Sequence, residues 1–175
     1  MRRSSPPVFC IIGRKNSGKT ELTVNLSAEM NRRGHRVMTV KHGHGFQLDQ
    51  PGRDSWRHRH EGGALRTVLA GPADFAVIGN WPSEEMPLAE LVERFLSDAD
   101  VVLAEGFKSA PAPKIEVYRE GQGSELLFGR DEIRSGRTVA LVTDAEDLDV
   151  PLPVFDLRHR DVIRDLADFL EGQME

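Results

Sequence analysis

The sequence GRKNSGKT, from Gly13 to Thr20, fits the phosphate-loop pattern, in which two glycines enclose four residues and are followed by Lys and Thr. The preceding run, Val8 to Ile12, is continuously apolar and short, which is typical of a strand buried on both faces of a parallel sheet. Apolar residues then recur every four positions from Leu22 to Met30, and Gly34 is suited to a left-handed helix cap. The sequence therefore predicts a strand, a glycine loop and a helix in the order that phosphate binding requires.

The residue types in this loop are those that phosphate binding requires. A polyphosphate is wrapped by backbone N–H groups, and a Cβ at Gly13 or Gly18 would hold the chain away from it. Lys19 should reach the β- and γ-phosphates, and the Thr20 hydroxyl should bind Mg²⁺. The first turn of the helix adds the positive end of its dipole.

Length, charge and cysteine content limit the alternatives. With 175 residues and a net charge of −5, we expect one domain with no general affinity for nucleic acids or anionic membranes. Cys10 is the single cysteine and lies in an apolar run, which excludes a disulfide framework and a paired-thiol metal site. That run spans five residues, too few for a signal-peptide core or a membrane span. We therefore expect a protein of the reducing cytoplasm.

The rest of the chain alternates predicted strands and helices, which favours a mostly parallel sheet with helices on both faces. The predicted fold class is thus α/β, with the three layers of a P-loop NTPase. Further strands are predicted at Arg36–Val40, Leu65–Leu69, Phe75–Ile78, Asp100–Gly106, Thr138–Thr143 and Val154–Phe155, and further helices at Trp56–Glu61, Leu88–Leu96 and from about Asp161.

The most irregular region begins at Ser109. Residues Ile115 to Tyr118 and Glu125 to Phe128 flank Gly121-Gln122-Gly123, which predicts a hairpin or two short edge strands. This segment has too few apolar residues for a core of its own, yet its apolar side chains would be costly to expose. We therefore predict an arm at about residues 109–128 that a partner covers.

Acidic residues at strand exits are candidate magnesium ligands. Glu105 follows a buried strand, where P-loop proteins place the acid of the Mg²⁺ shell, although a surface Glu at a strand end is the alternative. Lys19 and Glu105 are accordingly the candidate catalytic groups. Asp49 and Asp54 are rivals from the second loop, and Asp54 suits a helix cap equally well. Asp144 follows another strand and could accept from the N1–H and N2–H₂ edge of guanine, or could simply be a solvated strand-end acid.

The histidines and lysines suggest further sites. The histidines form two pairs spaced two residues apart, a spacing that shares one face only in an extended chain, so solvated histidines are favoured over a metal site. The lysines could form a second anion site beside the nucleotide, but each alone is typical of a solvated surface. The residues concerned are His42, His44, His58 and His60, and Lys41, Lys108 and Lys114.

Five motifs together resemble the molybdopterin-guanine dinucleotide biosynthesis protein B family, MobB, and they span nearly the whole chain. The phosphate loop alone is widespread, but the Lys-His loop, the Gly-Arg-Asp-Ser run and the Glu-Gly-Phe-Lys strand exit are together specific to this group. In order, they are the phosphate loop, Val40-Lys41-His42-Gly43-His44, Asp49 to Arg57, Ala104-Glu105-Gly106-Phe107-Lys108, and Pro113-Lys114-Ile115-Glu116-Val117.

The resemblance implies a GTP-binding adaptor with weak GTPase activity. Such a protein assists the guanylyltransferase that attaches GMP to molybdopterin, and it is a homodimer in which an arm of each subunit reaches the other. By position, the phosphates would be held by Gly13, Arg14, Lys15, Asn16, Ser17, Gly18, Lys19 and Thr20, the Mg²⁺ by Thr20, Glu105 and Asp54, and the guanine by Asp144.

Two other classes of protein remain open. A small-molecule P-loop kinase would share the loop but needs an Arg-bearing lid, which no segment obviously supplies. A GTPase metallochaperone that inserts nickel would share the scaffold but needs a dedicated metal cluster, and the single thiol, Cys10, is expected to be buried.

Overall fold

The computed structural model describes residues 5–43, 45–46, 48–122, 125–146 and 148–174. It divides the chain into two compact units, where the sequence predicted one domain. The first unit comprises the residues up to His42 and those from Leu88 onward, and the second comprises Gly43–Pro87. The strands are β1 (Val8–Gly13), β2 (Val37–Lys41), β3 (Arg66–Ala70), β4 (Phe75–Gly79), β5 (Val101–Glu105), β6 (Lys114–Tyr118), β7 (Thr138–Thr143) and β8 (Val154–Asp156), and the helices are α1 (Lys19–Arg32), α2 (Asp54–His60), α3 (Leu88–Phe95), α4 (Arg130–Arg134) and α5 (Val162–Met174).

The first unit is built on a six-stranded sheet in the order β2-β5-β1-β6-β7-β8, and every neighbouring pair is parallel. Side chains alternate between its faces. Phe9 and Ile11 belong to one apolar cluster with α1 and α5, whereas Cys10 and Ile12 belong to another with α3. The predicted fold class, a mostly parallel sheet with helices on both faces, is therefore confirmed.

The sheet register brings several strand exits to one edge. Ile11 of β1 and Lys41 of β2 both pair with Glu105 of β5. The glycine loop follows β1 directly and leads into α1, whose buried face includes Leu22, Leu26 and Met30 as predicted. Because ligands of open α/β sheets bind at the carboxyl ends of the strands, this edge is where a site is expected.

The predicted arm at residues 109–128 is wrong in its main part. Lys114–Tyr118 is not half of a hairpin but the central strand β6, hydrogen-bonded between β1 and β7, with Ile115 0% and Val117 1% exposed. Residues Glu125 to Phe128 form no strand. Deleting 110–128 would remove a core strand rather than an arm.

The arm was predicted wrongly because two polar residues that alternate with the apolar ones of β6 are in fact buried. Glu116 is 1% exposed and accepts hydrogen bonds from the backbone N–H of Leu127 and Phe128. Burial raises the pKa of the Glu116 carboxyl, against the lowering effect of those bonds. Lys114 is 2% exposed and donates to the carbonyls of Ala110 and Ala112. The polar side chains that indicated a half-exposed edge strand therefore lie inside the core, where they have hydrogen-bond partners.

A hairpin does exist, but in the second unit. Strands β3 and β4 pair antiparallel as a sheet of two strands, joined by a turn in which Gly71 N–H donates to the Asp74 carbonyl. Val68 pairs with Val77, and Ala70 pairs with Phe75, so Val68, Val77 and Phe75 share one face. These three side chains are 63%, 41% and 77% exposed. We call this surface the hairpin face.

None of the helices in the described part of the chain combines the length and the apolar character needed to cross a membrane.

Candidate functional site

The glycine loop packs closely against the end of β6. A Cβ added to Gly13 would lie 2.5 Å from Ser17 Oγ and 2.5 Å from the carbonyl oxygen of Val117, and no real Cβ tolerates these distances. Ser17 is 1% exposed, and its hydroxyl has no hydrogen-bond partner among the described residues. An unpartnered buried hydroxyl inside a curled backbone loop fits a site that is completed by a ligand with acceptor oxygens.

Lys19 begins α1 and lies across the loop. Its Nζ donates to the carbonyl of Arg14 at 2.6 Å, so the ammonium group is at the mouth of the loop. Burial lowers the pKa of Lys19, Glu105 opposes this effect, and the positive charges of Lys108 and Lys41 add to it. Three lysines and one glutamate therefore interact electrostatically at this edge, which suits a polyanion that brings its own metal ion.

Thr20 and Glu105 are brought together as the sequence predicted. Thr20 Oγ1 donates to Glu105 at 2.9 Å from Oε1 and 3.1 Å from Oε2, and Glu105 is 9% exposed. A hydroxyl and a carboxylate are the hard oxygen ligands that Mg²⁺ prefers, and this ion is commonly held by one or two protein ligands together with substrate phosphates. The donor set therefore fits Mg²⁺, and the described residues contain no group of three or more His, Cys, Asp or Glu that could hold a metal without phosphates.

Arg119 is a site residue that the sequence analysis missed. It follows β6, and its Nη1 donates to Asp144 Oδ2 at 2.9 Å while its Nε lies 3.4 Å from the carbonyl oxygen of Ser17. A Cβ added to Gly18 would lie 3.6 Å from Arg119 Nη2. Arg119 therefore links the phosphate loop to the exit of β7. Its position at the carboxyl end of a core strand could have indicated a site residue. The sequence analysis missed it because it assigned the residues of β6 to an arm.

Asp144 lies at the exit of β7 and is firmly held. Besides Arg119, the backbone N–H of Glu120 donates to its Oδ1 at 2.8 Å. Burial on its own would raise the pKa of Asp144, but the Glu120 N–H and the Arg119 guanidinium outweigh it and lower the pKa below its ordinary value. Asp144 is therefore an oriented carboxylate near the phosphate loop rather than a solvated strand-end acid.

Two further hydrogen bonds tie the loop to the residues that follow β6. Arg14 Nη2 donates to the carbonyl of Glu125 at 3.1 Å, and Gln122 Nε2 donates to the carbonyl of Asn16 at 3.2 Å. These bonds support the outer side of the loop, which the sequence analysis did not foresee.

Asp49 and Asp54, the other candidate magnesium ligands, belong to the second unit. Asp49 accepts from Ser55 Oγ at 2.9 Å and lies 3.6 Å from Arg59 Nη1, so it has partners near the start of α2. Asp54 is the first residue of α2, where an acid interacts favourably with the helix dipole. Its role toward Mg²⁺ stays a prediction.

Two of the candidate histidines have aromatic partners. The ring of His42 lies 5.1 Å from that of Phe107, and the ring of His60 stacks on Trp56 at 4.3 Å. His44 lies outside the described residues. Burial raises the pKa of the Cys10 thiol to about 11, which disfavours the thiolate that a metal would need.

The predicted anion site of Lys108 and Lys114 is wrong for Lys114. Its ammonium is buried and bonded to backbone carbonyls, so it cannot meet a ligand. Lys108 is exposed at the exit of β5.

A parallel sheet, a glycine loop that leads into a helix, and a hydroxyl–carboxylate pair at the same edge define a nucleotide-binding protein with the P-loop NTPase fold. The sequence profile of a family described as "Molybdopterin guanine dinucleotide synthesis protein B" matches residues 8–144. The chain belongs to this family, MobB.

Individual relatives agree with the family. A protein of Haemophilus influenzae named molybdopterin-guanine dinucleotide biosynthesis adapter protein is 34% identical over 169 residues, which cover 95% of this chain and 88% of the relative. The Escherichia coli protein of the same name is 31% identical over 175 residues, covering 97% and 94%.

Solved structures agree with the fold. A crystal structure of molybdopterin-guanine biosynthesis protein B is 31% identical, with a TM-score of 0.71 and coverage of 95% of this chain and 98% of the other. The structure of Bacillus subtilis MobB, 24% identical with a TM-score of 0.68 and coverage of 97% and 98%, supports the fold alone.

Proposed function

We propose that this protein is a cytoplasmic GTP-binding adaptor of molybdenum cofactor biosynthesis, acting with the guanylyltransferase that makes molybdopterin guanine dinucleotide. One observation carries the nucleotide-binding part: in a chain of this family, the Thr20 hydroxyl and the Glu105 carboxylate meet beside Lys19 at the mouth of the phosphate loop. The adaptor part is supported by the names of the Haemophilus influenzae and Escherichia coli relatives.

In this proposal the loop residues Gly13 to Thr20 hold the phosphates, and Thr20 and Glu105 hold Mg²⁺. Held by these two oxygen ligands, Mg²⁺ would supply positive charge against that of the phosphates. Lys108, exposed at the same sheet edge, is the proposed contact for the anionic phosphate of molybdopterin.

Asp144 is the proposed guanine-binding residue. A carboxylate has about four acceptor positions, and Arg119 and the Glu120 N–H each use one, so acceptor positions remain for the N1–H and N2–H₂ donors of guanine. Adenine presents no such pair of donors. The two existing bonds would hold the carboxylate in a fixed orientation.

We expect weak, Mg²⁺-dependent GTPase activity. The two arginines hydrogen-bonded at the loop are already engaged, Arg14 with the Glu125 carbonyl and Arg119 with Asp144. An arginine that contacts the transferring phosphate is worth about 10³ to 10⁵ in rate. Hydrolysis by the isolated protein at about 1 per second or faster, as in ordinary enzymes, would contradict this expectation.

We further propose a homodimer, as the family resemblance implies. The surface that supports it is the hairpin face of Val68, Phe75 and Val77, not residues 109–128. An isolated two-stranded sheet is marginally stable in water, and exposed apolar clusters of this kind mark interaction surfaces. A second copy of the chain is the proposed occupant.

The decisive test compares GTP with ATP binding in the presence of Mg²⁺, with and without the guanylyltransferase. We expect GTP to bind more tightly than ATP, and the guanylyltransferase to associate with the protein. Equal affinity for the two nucleotides would contradict the guanine site and would favour the kinase class. Absence of association with the guanylyltransferase would contradict the adaptor role.

A further inference from the structure

Lys41 contacts both of the side chains that are proposed to hold Mg²⁺. Its Nζ lies 3.0 Å from Glu105 Oε1 and donates to Thr20 Oγ1 at 3.4 Å. The Lys41 side chain is 55% exposed, whereas that of Glu105 is 12% exposed. A solvent-accessible ammonium group therefore lies on a nearly buried carboxylate.

The sheet, not the loop, puts Lys41 in this place. Lys41 and Glu105 are register partners in the parallel pair of β2 and β5, and the N–H of His42 donates to the Glu105 carbonyl at 3.0 Å. The two strand exits are also packed closely, because a Cβ added to Gly106 would lie 3.1 Å from His42 Cβ. Register partners in a sheet point to the same face, so the side chains of Lys41 and Glu105 leave the two strands side by side.

Lys41 and Mg²⁺ require the same oxygen atoms. An ammonium is a compact cation on a flexible stem, and Mg²⁺ demands near-ideal octahedral geometry from its oxygen ligands. A Mg²⁺ ion on Glu105 would repel the Lys41 ammonium, which lies 3.0 Å from Oε1 of the same carboxylate. Binding of the metal at Glu105 and Thr20 therefore conflicts with the observed position of Lys41.

We propose that Lys41 and Mg²⁺ exchange at Glu105 and Thr20. When the metal binds, the ammonium leaves the carboxylate and turns to the γ-phosphate, so Lys41 couples metal binding to recognition of the triphosphate. This inference rests on the proposed binding of Mg²⁺ and nucleotide. Lys41 is a positioning and specificity-determining residue of that site.

The exchange predicts two effects of opposite sign for Lys41→Met. With GDP, which has no γ-phosphate, the variant loses a competitor for Glu105, and half-saturation should need about fivefold less Mg²⁺, the size expected from loss of one half-exposed ion pair. With a non-hydrolysable GTP analogue, the variant loses a phosphate contact, so its preference for triphosphate over diphosphate should fall. Loss of a purely structural contact would not raise the affinity for Mg²⁺ while lowering the preference for triphosphate over diphosphate.

The experiment uses the full-length protein with fluorescently labelled GDP and with a labelled, non-hydrolysable GTP analogue, each titrated with MgCl₂. Binding of Mn²⁺ in the presence of GDP, followed by electron paramagnetic resonance, reports metal affinity directly. Lys108→Met is the matched control, because it removes an equal charge from an exposed lysine at the same edge and reveals long-range electrostatics alone. Lys41→Arg retains the charge and should behave like the unmodified protein.

Tighter Mg²⁺ and Mn²⁺ binding in Lys41→Met than in Lys108→Met, together with a reduced triphosphate preference, would support the exchange. Equal shifts in the two variants, or weaker metal binding in Lys41→Met, would overturn it while leaving the proposed function intact. If Mg²⁺ has no effect on nucleotide binding by the unmodified protein, the proposed metal site itself is wrong, and the exchange is wrong with it.

Discussion

At the scale of single residues, the shape of the phosphate loop depends on a glycine and a buried serine. Gly13 has no room for a Cβ against Val117, and the Ser17 hydroxyl is buried without a partner among the described residues. Lys19 donates to the loop carbonyl of Arg14 and is not part of either apolar cluster. The loop is thus shaped by close backbone packing, while its charged group contributes little to the core.

Lys19→Ala should abolish triphosphate binding and leave the fold intact, because Lys19 supplies a charged phosphate contact and buries no apolar core surface. Isothermal titration with GTP and Mg²⁺ measures the loss of affinity, which we expect to exceed about 100-fold, since hydrogen bonds to charged groups are worth about 1.5–3 kcal/mol each. An unchanged circular dichroism spectrum and melting temperature provide the control for folding. Retained affinity would contradict the phosphate-loop role.

Asp144→Asn should lose the preference for GTP over ATP. The amide presents donors where guanine also presents donors, and a buried donor without a partner costs about 1–3 kcal/mol. Glu146→Gln is the matched control, because Glu146 is an exposed acid two residues further on, paired with Arg158. If both variants keep the same GTP-to-ATP ratio as the unmodified protein, Asp144 does not bind the base.

At the scale of secondary-structure elements, α1 and α5 are joined by one arginine after the end of α1. Arg33 donates to Glu29, to Asp168 at 2.6 Å, to Glu171 at 2.7 Å and to the carbonyl of Arg164. Its side chain is 13% exposed. Three of these hydrogen bonds reach α5, so one shielded guanidinium fixes the helix that carries Lys19 and Thr20 against α5.

Arg33→Ala should lower the free energy of unfolding by about 1–3 kcal/mol at neutral pH, because it removes charge-assisted hydrogen bonds and leaves their acceptors without that partner. Urea denaturation measures the change. Arg32→Ala is the matched control, since Arg32 also donates to Glu29 but its side chain is 68% exposed, and an exposed ion pair contributes about 0–1 kcal/mol. Equal effects of the two variants would contradict the role of Arg33 as the link.

The effect of Arg33→Ala should depend on pH. Hydrogen bonds from Arg32 and Arg33 lower the pKa of Glu29 to about 2 from a model-compound value of 4.5. A carboxyl whose pKa is lower in the folded state stabilises the fold above its unfolded pKa, and this contribution disappears as the pH falls through the folded pKa. The difference in stability between the unmodified protein and Arg33→Ala should therefore shrink as the pH falls from about 4.5 toward 2.

At the scale of the whole molecule, most of the large apolar side chains that are exposed belong to the second unit, and several of them lie on the hairpin. Val68, Phe75 and Val77 form one face of β3 and β4, and each is more than 40% exposed. The first unit, in contrast, buries most of its apolar residues in two clusters on the faces of the parallel sheet. An unassociated chain would therefore leave a continuous apolar strip in water.

Val68→Glu combined with Phe75→Glu should convert the proposed dimer to a monomer that still binds GTP, because charges on the hairpin face oppose its burial while the nucleotide site lies in the other unit. Sedimentation velocity at micromolar concentration measures the change. Val24→Glu is the control, since Val24 is a similarly exposed apolar residue, 58% accessible, on α1. A monomeric unmodified protein would show that a second copy does not cover this face.

The sequence by itself determined the features that depend on neighbouring residues. The glycine loop between Val8–Gly13 and α1, the buried strand that ends at Glu105, and the helical spacing of Leu22, Leu26 and Met30 were all predictable, because hydrophobic periodicity and turn-forming residues act over a few positions. These local patterns were enough to predict the loop and to select Thr20 and Glu105 as candidate magnesium ligands.

The tertiary structure alone decided which strands are neighbours. The insertion of β6 between β1 and β7 buries Glu116 and Lys114 with partners of their own, and it brings Arg119 to Asp144. The pairing of β2 with β5 likewise puts Lys41 on Glu105. Strand order and register depend on packing between segments that are distant in sequence, and a local pattern such as KIEVY fits an edge strand as well as a central one until its polar side chains find their partners.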